Sequence, residues 1–234
     1  MNSVLKGALT AALIVCLVGP ADARQAAPAQ GDVYHVHFTK AAPGQGAALA
    51  AELAKPDPSV PMPDHFIVLR HQQGDDWDYC VIQHLGPKAS VDAAPSPVPP
   101  SAALSAWHTD SFVAGPPWAE FVKSMGIGDS AGTTAGSVYA LGVFRAVTGH
   151  REQLEKVLRE PEPSKVPVSR VVLQHLEGGP WQFIALDRYN SWQDFATDST
   201  ASTPATSAGA DGWLRSREHA SFHRDTLADR IAPK

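Results

Sequence analysis

The segment from Val33 to Thr39 alternates, with Tyr34, Val36 and Phe38 on one face and His35 and His37 on the other, the period-two pattern of a strand. After a turn over 41–46, the Ala- and Leu-rich stretch from Ala47 to Lys55 reads as a helix. A second such stretch after Gly149 sets Leu154, Val157 and Leu158 on one stripe. Pro56 and Pro161 stop the two helices at the same point. Each is followed by two apolar runs that flank a glycine, Gly74 or Gly178, and read as a β-hairpin.

The hairpin occurs twice in detail: Leu69, His71, Gly74 and Trp77 recur as Leu173, His175, Gly178 and Trp181. Gly31-Asp-Val-Tyr34 likewise recurs as Gly136-Ser-Val-Tyr139, an offset of 105 residues that becomes 104 in the hairpins. The chain therefore reads as an internal duplication, with a first unit over 31–125, a Gly/Ser/Thr linker over 126–135 and a second unit over 136–234. Placing His71 opposite Trp77 pairs Leu69 with Tyr79 and Arg70 with Asp78; the second hairpin then pairs Leu173 with Phe183. Long low-complexity loops follow at 86–101 and 197–212, the latter preceded by Ser191, which is placed to cap a short helix. Terminal helices are expected over Ala102 to Val113 and Trp213 to Ile231, with a short helix over Trp118 to Met125.

Each unit thus runs strand, helix, strand, strand, long loop, helix, and a fourth strand would complete the βαββαβ plan of a ferredoxin-like unit. The order, the small size and the tandem copy resemble the dimeric α/β-barrel superfamily, with its antibiotic-biosynthesis monooxygenase-like, EthD-like and NIPSNAP-like domains. The resemblance implies an α+β fold in which two ferredoxin-like βαββα(β) repeats pack face to face as an intramolecular barrel, a pseudo-dimer within one chain that can associate further. It also implies room for a ligand between or beside sheet and helices. Members of the superfamily include cofactor-free oxygenases, haem enzymes and isomerases, so the fold leaves the reaction open.

Composition changes this picture at the N-terminus. Residues 1–23 carry Lys6, an apolar run from Ala8 to Val18 and a small-x-small ending at Ala21 to Ala23, the layout of a secretory signal peptide cleaved after Ala23; residues 24–30 form a flexible leader. The expected destination is the periplasm or the medium, without membrane attachment after cleavage. Cleavage removes Cys16 and leaves Cys80 alone, so the mature chain closes no internal disulfide, and Cys80 reads as a buried small hydrophobe. The net charge of −5 and the lack of a basic patch exclude nucleic acid as a partner.

Candidate chemistry rests on the ten histidines. His35 and His37 share a strand face, where they suit a proton-transfer pair or two metal ligands; an exposed or helix-covered strand face is the structural alternative. The second unit has Ala140 and Gly142 there. His71 with Trp77, His175 with Trp181, and Arg70 are candidate ligand-binding residues; a His packed on an indole before a Gly turn is the structural alternative. His219 and His223 fall on one face of the expected terminal helix with Asp225 close by, a weak metal-ligand set that lacks the glutamate of a zinc-protease motif. His108 and Asp110 occupy the corresponding stretch of the first unit and read as a helix packing feature. His65, His84 and His150 take no role. Nucleophile elbow, phosphate loop, paired-cysteine motif and dinucleotide fingerprint are all absent from the sequence.

Three functions fit: an exported binder of a small, partly apolar molecule; a cofactor-free or metal-assisted oxygenase or isomerase with His35, His37, His71 or His219 as base; and a structural or partner-binding module. No cofactor is fixed by the sequence.

Overall fold

The alternation of Tyr34, Val36 and Phe38 produces β1 (Asp32–Ala41), whose apolar face is fully or almost fully buried. α1 (Gly46–Leu53), β2 (Phe66–Gln73), β3 (Tyr79–Gly86) and a short 3-10 turn (Pro100–Leu104) lead into β4 (Ser105–Gly115) and α2 (Trp118–Met125). The second half repeats the order with β5 (Val138–Ala146), α3 (Arg151–Arg159), β6 (Ser169–Glu177) and β7 (Phe183–Tyr189), then α4 (Trp192–Ser207), α5 (Gly212–His219) and β8 (Ala220–Ala232). This computed structural model describes residues 31–87, 100–128, 136–160, 166–167, 169–207 and 212–233. The expected signal peptide and leader, and most of the expected linker, lie outside the described residues. No helix among them is long and apolar enough to cross a membrane.

The fold is mixed α+β. The eight strands among the described residues close into an antiparallel barrel in the order β1-β3-β2-β8-β5-β7-β6-β4. Each half contributes four adjacent strands, and the halves meet where β2 pairs with β8 and β4 with β6. One strand face points inward, and Val36, Ile67, Leu69, Ile82, Leu141, Leu173 and Leu186 are among the side chains that fill the interior. The outward faces carry the helices. α1 packs Leu49 against Phe66, Val68 and Tyr79, and α3 packs Leu154 and Leu158 against Phe144, Val172 and Phe183. α2 adds Phe121 and Met125 to the interior cluster; the hydroxyls of Tyr34 and Tyr139 donate to the carbonyls of Pro116 and Met125 at its two ends.

Three expectations are corrected, the plainest being the loop expected at 197–212, where the helix that Ser191 opens runs on to Ser207. Both terminal helices are largely strands, β4 replacing the first and α5 followed by β8 the second, so the fourth strand of each half is among its longest elements. Each stretch opens with helix-favouring residues, Ala102 to Leu104 in the first and Leu214 to Glu218 in the second, but the neighbouring β1 and β5 edges need partners to satisfy their backbone groups, and barrel closure outweighs local propensity. The hairpin register is also shifted by one: Leu69 pairs with Cys80, Arg70 with Tyr79 and Leu173 with Ile184. His71 N–H bonds to Asp78 O and His175 N–H to Gln182 O, which places each Trp inside the loop. The ring contacts survive the shift, with His71 edge-on to Trp77 at 5.5 Å and His175 edge-on to Trp181 at 5.2 Å. Trp118 to Met125 is helical over the expected span, and Ser191 Oγ accepts from Asp194 N–H at 3.1 Å in the first turn of α4.

Candidate functional site

His35 and His37 point outward from β1, and the antiparallel register sets His37 opposite Asp110 on β4, with Thr39 opposite His108. Asp110 Oδ1 receives both imidazoles, His35 Nε2 at 2.8 Å and His37 Nδ1 at 2.7 Å, while His108 Nε2 stands 3.4 Å from Oδ2. The His37 side chain is 7% exposed and that of Asp110 42%, so the cluster has a buried floor and an open side. Burial pushes the Asp110 carboxyl up, but the hydrogen bonds from His35 and His37 outweigh it and hold the group well below the usual carboxylate range. An ionised Asp110 only accepts, so His37 presents Nδ1–H to it, and its Nε2 is buried without a partner among the described residues.

One donor atom from each of His35, His37 and Asp110 lies within 4.8 Å of the others. Ligands bound cis at about 2.1 Å lie roughly 3 Å apart, close to the 2.8 and 2.7 Å that already separate Asp110 from His35 and His37, so the set can close on a cation through movement of the histidine side chains. The opposite half braces it. Gly178, at φ +110° in the second hairpin, runs so close to β4 that a Cβ there would sit 2.3 Å from Asp110 O, and Gly179 N–H donates to Ser111 Oγ at 3.0 Å.

The second half places His223 and Asp225 on β8 in the positions of His108 and Asp110, since Gly142 pairs with Asp225 as His37 pairs with Asp110. His223 Nε2 lies 2.9 Å from Asp225 Oδ2, but β5 supplies only Ala140 and Gly142. Phe144 occupies the space: a Cβ on Gly142 would meet its ring at 2.6 Å and Asp225 Oδ1 at 3.0 Å. The expected grouping of His219, His223 and Asp225 on one helix is overturned, because His219 ends α5 and its Nδ1 contacts His150 Nδ1 at 3.1 Å, while His223 lies on a strand.

His71, Trp77, His175 and Trp181 are placed at the barrel interior, with the Nε2 of both histidines buried and unpartnered. Burial, reinforced by Arg151, lowers the His175 pKa. Arg70 is on the outward face and does not join them: its Nε and Nη2 bond the Asp229 carboxylate at 3.0 and 2.8 Å. Burial drives the Cys80 thiol pKa far up, which leaves it inert.

Sequence reasoning undervalued two features. The period-two His-x-Asp of β4 and β8 was hidden by the helix assignment, although the spacing is a strand signal. His84, given no role, donates Nε2–H to Asp32 Oδ2 at 2.9 Å and meets His65 Nδ1 through its own Nδ1 at 3.0 Å, with Trp118 stacked on both rings. No local motif announces partners this far apart in sequence.

No protein-family model matches the chain, and no curated protein matches it. Solved structures of similar fold include an anthrone oxidase-like protein, at TM-score 0.53 and 11% identity over 86% of this chain and 92% of that one. Another is a protein described as a monooxygenase from Lactobacillus acidophilus NCFM, at TM-score 0.52 and 10% identity over 86% of this chain and 94% of that one. At these identities the likeness establishes the fold alone.

Proposed function

We propose that this chain is an exported, metal-assisted oxidase or oxygenase of the dimeric α/β-barrel type, acting on a small organic molecule, with a divalent transition metal held by His35, His37 and Asp110. The observation that carries the reading is the convergence of two imidazole nitrogens on one ionised carboxylate. Two histidines and one carboxylate with open positions form the donor set of non-haem iron(II) oxygenases. The open side of the cluster would admit substrate, and His108, next to Asp110, is placed as a fourth ligand or a proton carrier. The oxidase and monooxygenase descriptions of the two structural neighbours agree with this class of chemistry.

Anaerobic titration of the chelator-treated protein with iron(II), cobalt(II) and zinc(II), read by calorimetry and by the cobalt visible spectrum, tests the reading. One equivalent bound by the parent and none by Asp110→Ala is the expected result. Binding that is absent, or unchanged in Asp110→Ala, overturns it. The unpartnered Nε2 of His37 favours a second reading, in which the Asp110-oriented imidazole acts as a general base without metal. A parent that binds no metal yet loses turnover in His37→Ala would select that reading.

A further inference from the structure

The two halves differ at one buried position where the difference leaves a charge without a partner. Gly31-Asp32-Val33-Tyr34 opens β1 and Gly136-Ser137-Val138-Tyr139 opens β5, so Ser137 stands where Asp32 stands. Across the ladders Tyr34 pairs with His84 and Tyr139 with Arg188, so Arg188 stands where His84 stands. In the first half the position is complete: the Asp32 carboxylate takes the His84 imidazole at 2.9 Å and the Trp118 backbone N–H at 3.1 Å.

In the second half no described residue completes it. Arg188 is 6% exposed, and its Nε and Nη1 are buried without a partner. Ser137 is 2% exposed and its Oγ is likewise unpartnered. Beyond Ser137 on β8, Arg230 donates Nη1 to the carbonyls of Met125 and Gly126, at 3.4 and 3.0 Å. Among the described residues neither guanidinium has an ion-pair partner. An arginine cannot shed its charge on burial, so a guanidinium held in this way calls for an anion. A cleft of about 260 Å³, walled by Gly136, Trp192, Arg230 and the Arg70–Asp229 pair, reaches Ser137 from solvent.

We infer that the second half binds a small oxyanion between Arg188 and Ser137, in the place that the Asp32 carboxylate fills in the first. The chemistry required is a compact group with several acceptor oxygens, a carboxylate, sulfate or phosphate. The Arg188 donors, the Ser137 hydroxyl and the nearby Arg230 meet it. The site does not depend on the metal reading of the other half.

Thermal unfolding of the full mature chain in chloride, against acetate, sulfate and phosphate at matched ionic strength, provides the test, and the three anions separate planar from tetrahedral ligands. At ten times the dissociation constant, linkage gives a midpoint rise of roughly 3–6 °C, with a further rise of about the same size for each tenfold increase in anion. Ser137→Asp supplies the carboxylate from within; it is expected to raise the midpoint in chloride and to abolish the anion response. Arg188→Met is expected to abolish the response as well. A parent whose midpoint does not rise above its value in chloride for any of the three anions overturns the inference, and so does a full response retained in Ser137→Asp or Arg188→Met. If Arg188→Met does not fold, Ser137→Asp decides alone.

Discussion

The outward faces of the two halves begin from the same plan and end with different chemistry. On the β1–β4 face stand His35, His37, His108 and Asp110; on the β5–β8 face stand Ala140, Gly142, His223 and Asp225. The fourth strands keep His-x-Asp in both halves, whereas the first strands do not keep their histidines. One carboxylate with one histidine makes a surface pair; adding two imidazoles from the neighbouring strand makes a candidate three-donor site. Within a shared backbone, the donors on one strand therefore decide whether the face can hold a cation. Phe144, filling the space beside Gly142, is what makes the second face a packed surface.

The largest expected effect separates the two carboxylates. Asp110→Ala is expected to lower metal affinity by at least about 100-fold, because it removes a ligand and the acceptor that orients both imidazoles. Asp225→Ala should leave affinity within about twofold, having only one imidazole beside it. Competition against a chelating indicator measures both, and equal losses would place the site elsewhere.

The hairpin glycines offer a test through the backbone. Gly74 and Gly178 have φ of +125° and +110°, and a Cβ on either would lie 2.4 or 2.3 Å from the carbonyl of Asp225 or Asp110. Each Gly→Ala change is expected to cost about 2–3 kcal/mol, from left-handed strain and displacement of the facing strand, measurable by denaturant unfolding. Only Gly178→Ala should also weaken metal binding, since its clash falls on the strand that carries Asp110. If Gly74→Ala weakens it equally, the loss is one of global stability and the bracing argument fails.

A smaller effect is expected at Gly142. Gly142→Ala overpacks Phe144 and should cost about 1–3 kcal/mol, relieved in part by Phe144→Leu. Adding Ala140→His and Gly142→His on the Phe144→Leu background would rebuild the three donors around Asp225. A second equivalent of bound cobalt would then appear, and its absence would mean that β5 differs from β1 in more than these side chains.

Much of this fold was legible in the sequence because its signals are local. Alternation placed β1, the Leu154–Leu158 stripe placed α3, and the recurring Leu-x-His-x-x-Gly-x-x-Trp placed both hairpins. The fourth strands were not, because Ala102 to Val113 and Trp213 to Ile231 carry helix-favouring residues and become strands only when the barrel closes around them. That misreading also concealed the site: on a helix His108 and Asp110 diverge, whereas on a strand they share a face and meet His35 and His37 across the ladder. The one-residue error in the hairpins arose from treating the His–Trp contact as a cross-strand pair, when Trp77 and Trp181 reach the histidines from within the loop. Arg188 was silent for a different reason, since an arginine in a strand draws notice only when its neighbours are known.

The smallest expected effect is on pH dependence, and it too sets one half against the other. Burial lowers the pKa of both His84 and His175; the Asp32 carboxylate opposes the shift at His84, while Arg151 adds to it at His175. A histidine whose folded pKa lies below the unfolded value of about 6.5 binds its proton more readily once unfolded. Stability from these groups is therefore complete above about pH 6.5 and falls as pH drops through the interval down to each folded pKa, levelling off below it. Thermal midpoints across this interval should decline with acidification. Arg151→Met, by removing the neighbouring cation, should narrow the interval at His175 and flatten the decline, whereas Asp32→Asn, by removing the opposing carboxylate, should widen it at His84 and steepen the decline. Profiles that move together in the two variants would mean that the burial common to both histidines, and not the charge beside each, governs the acid response.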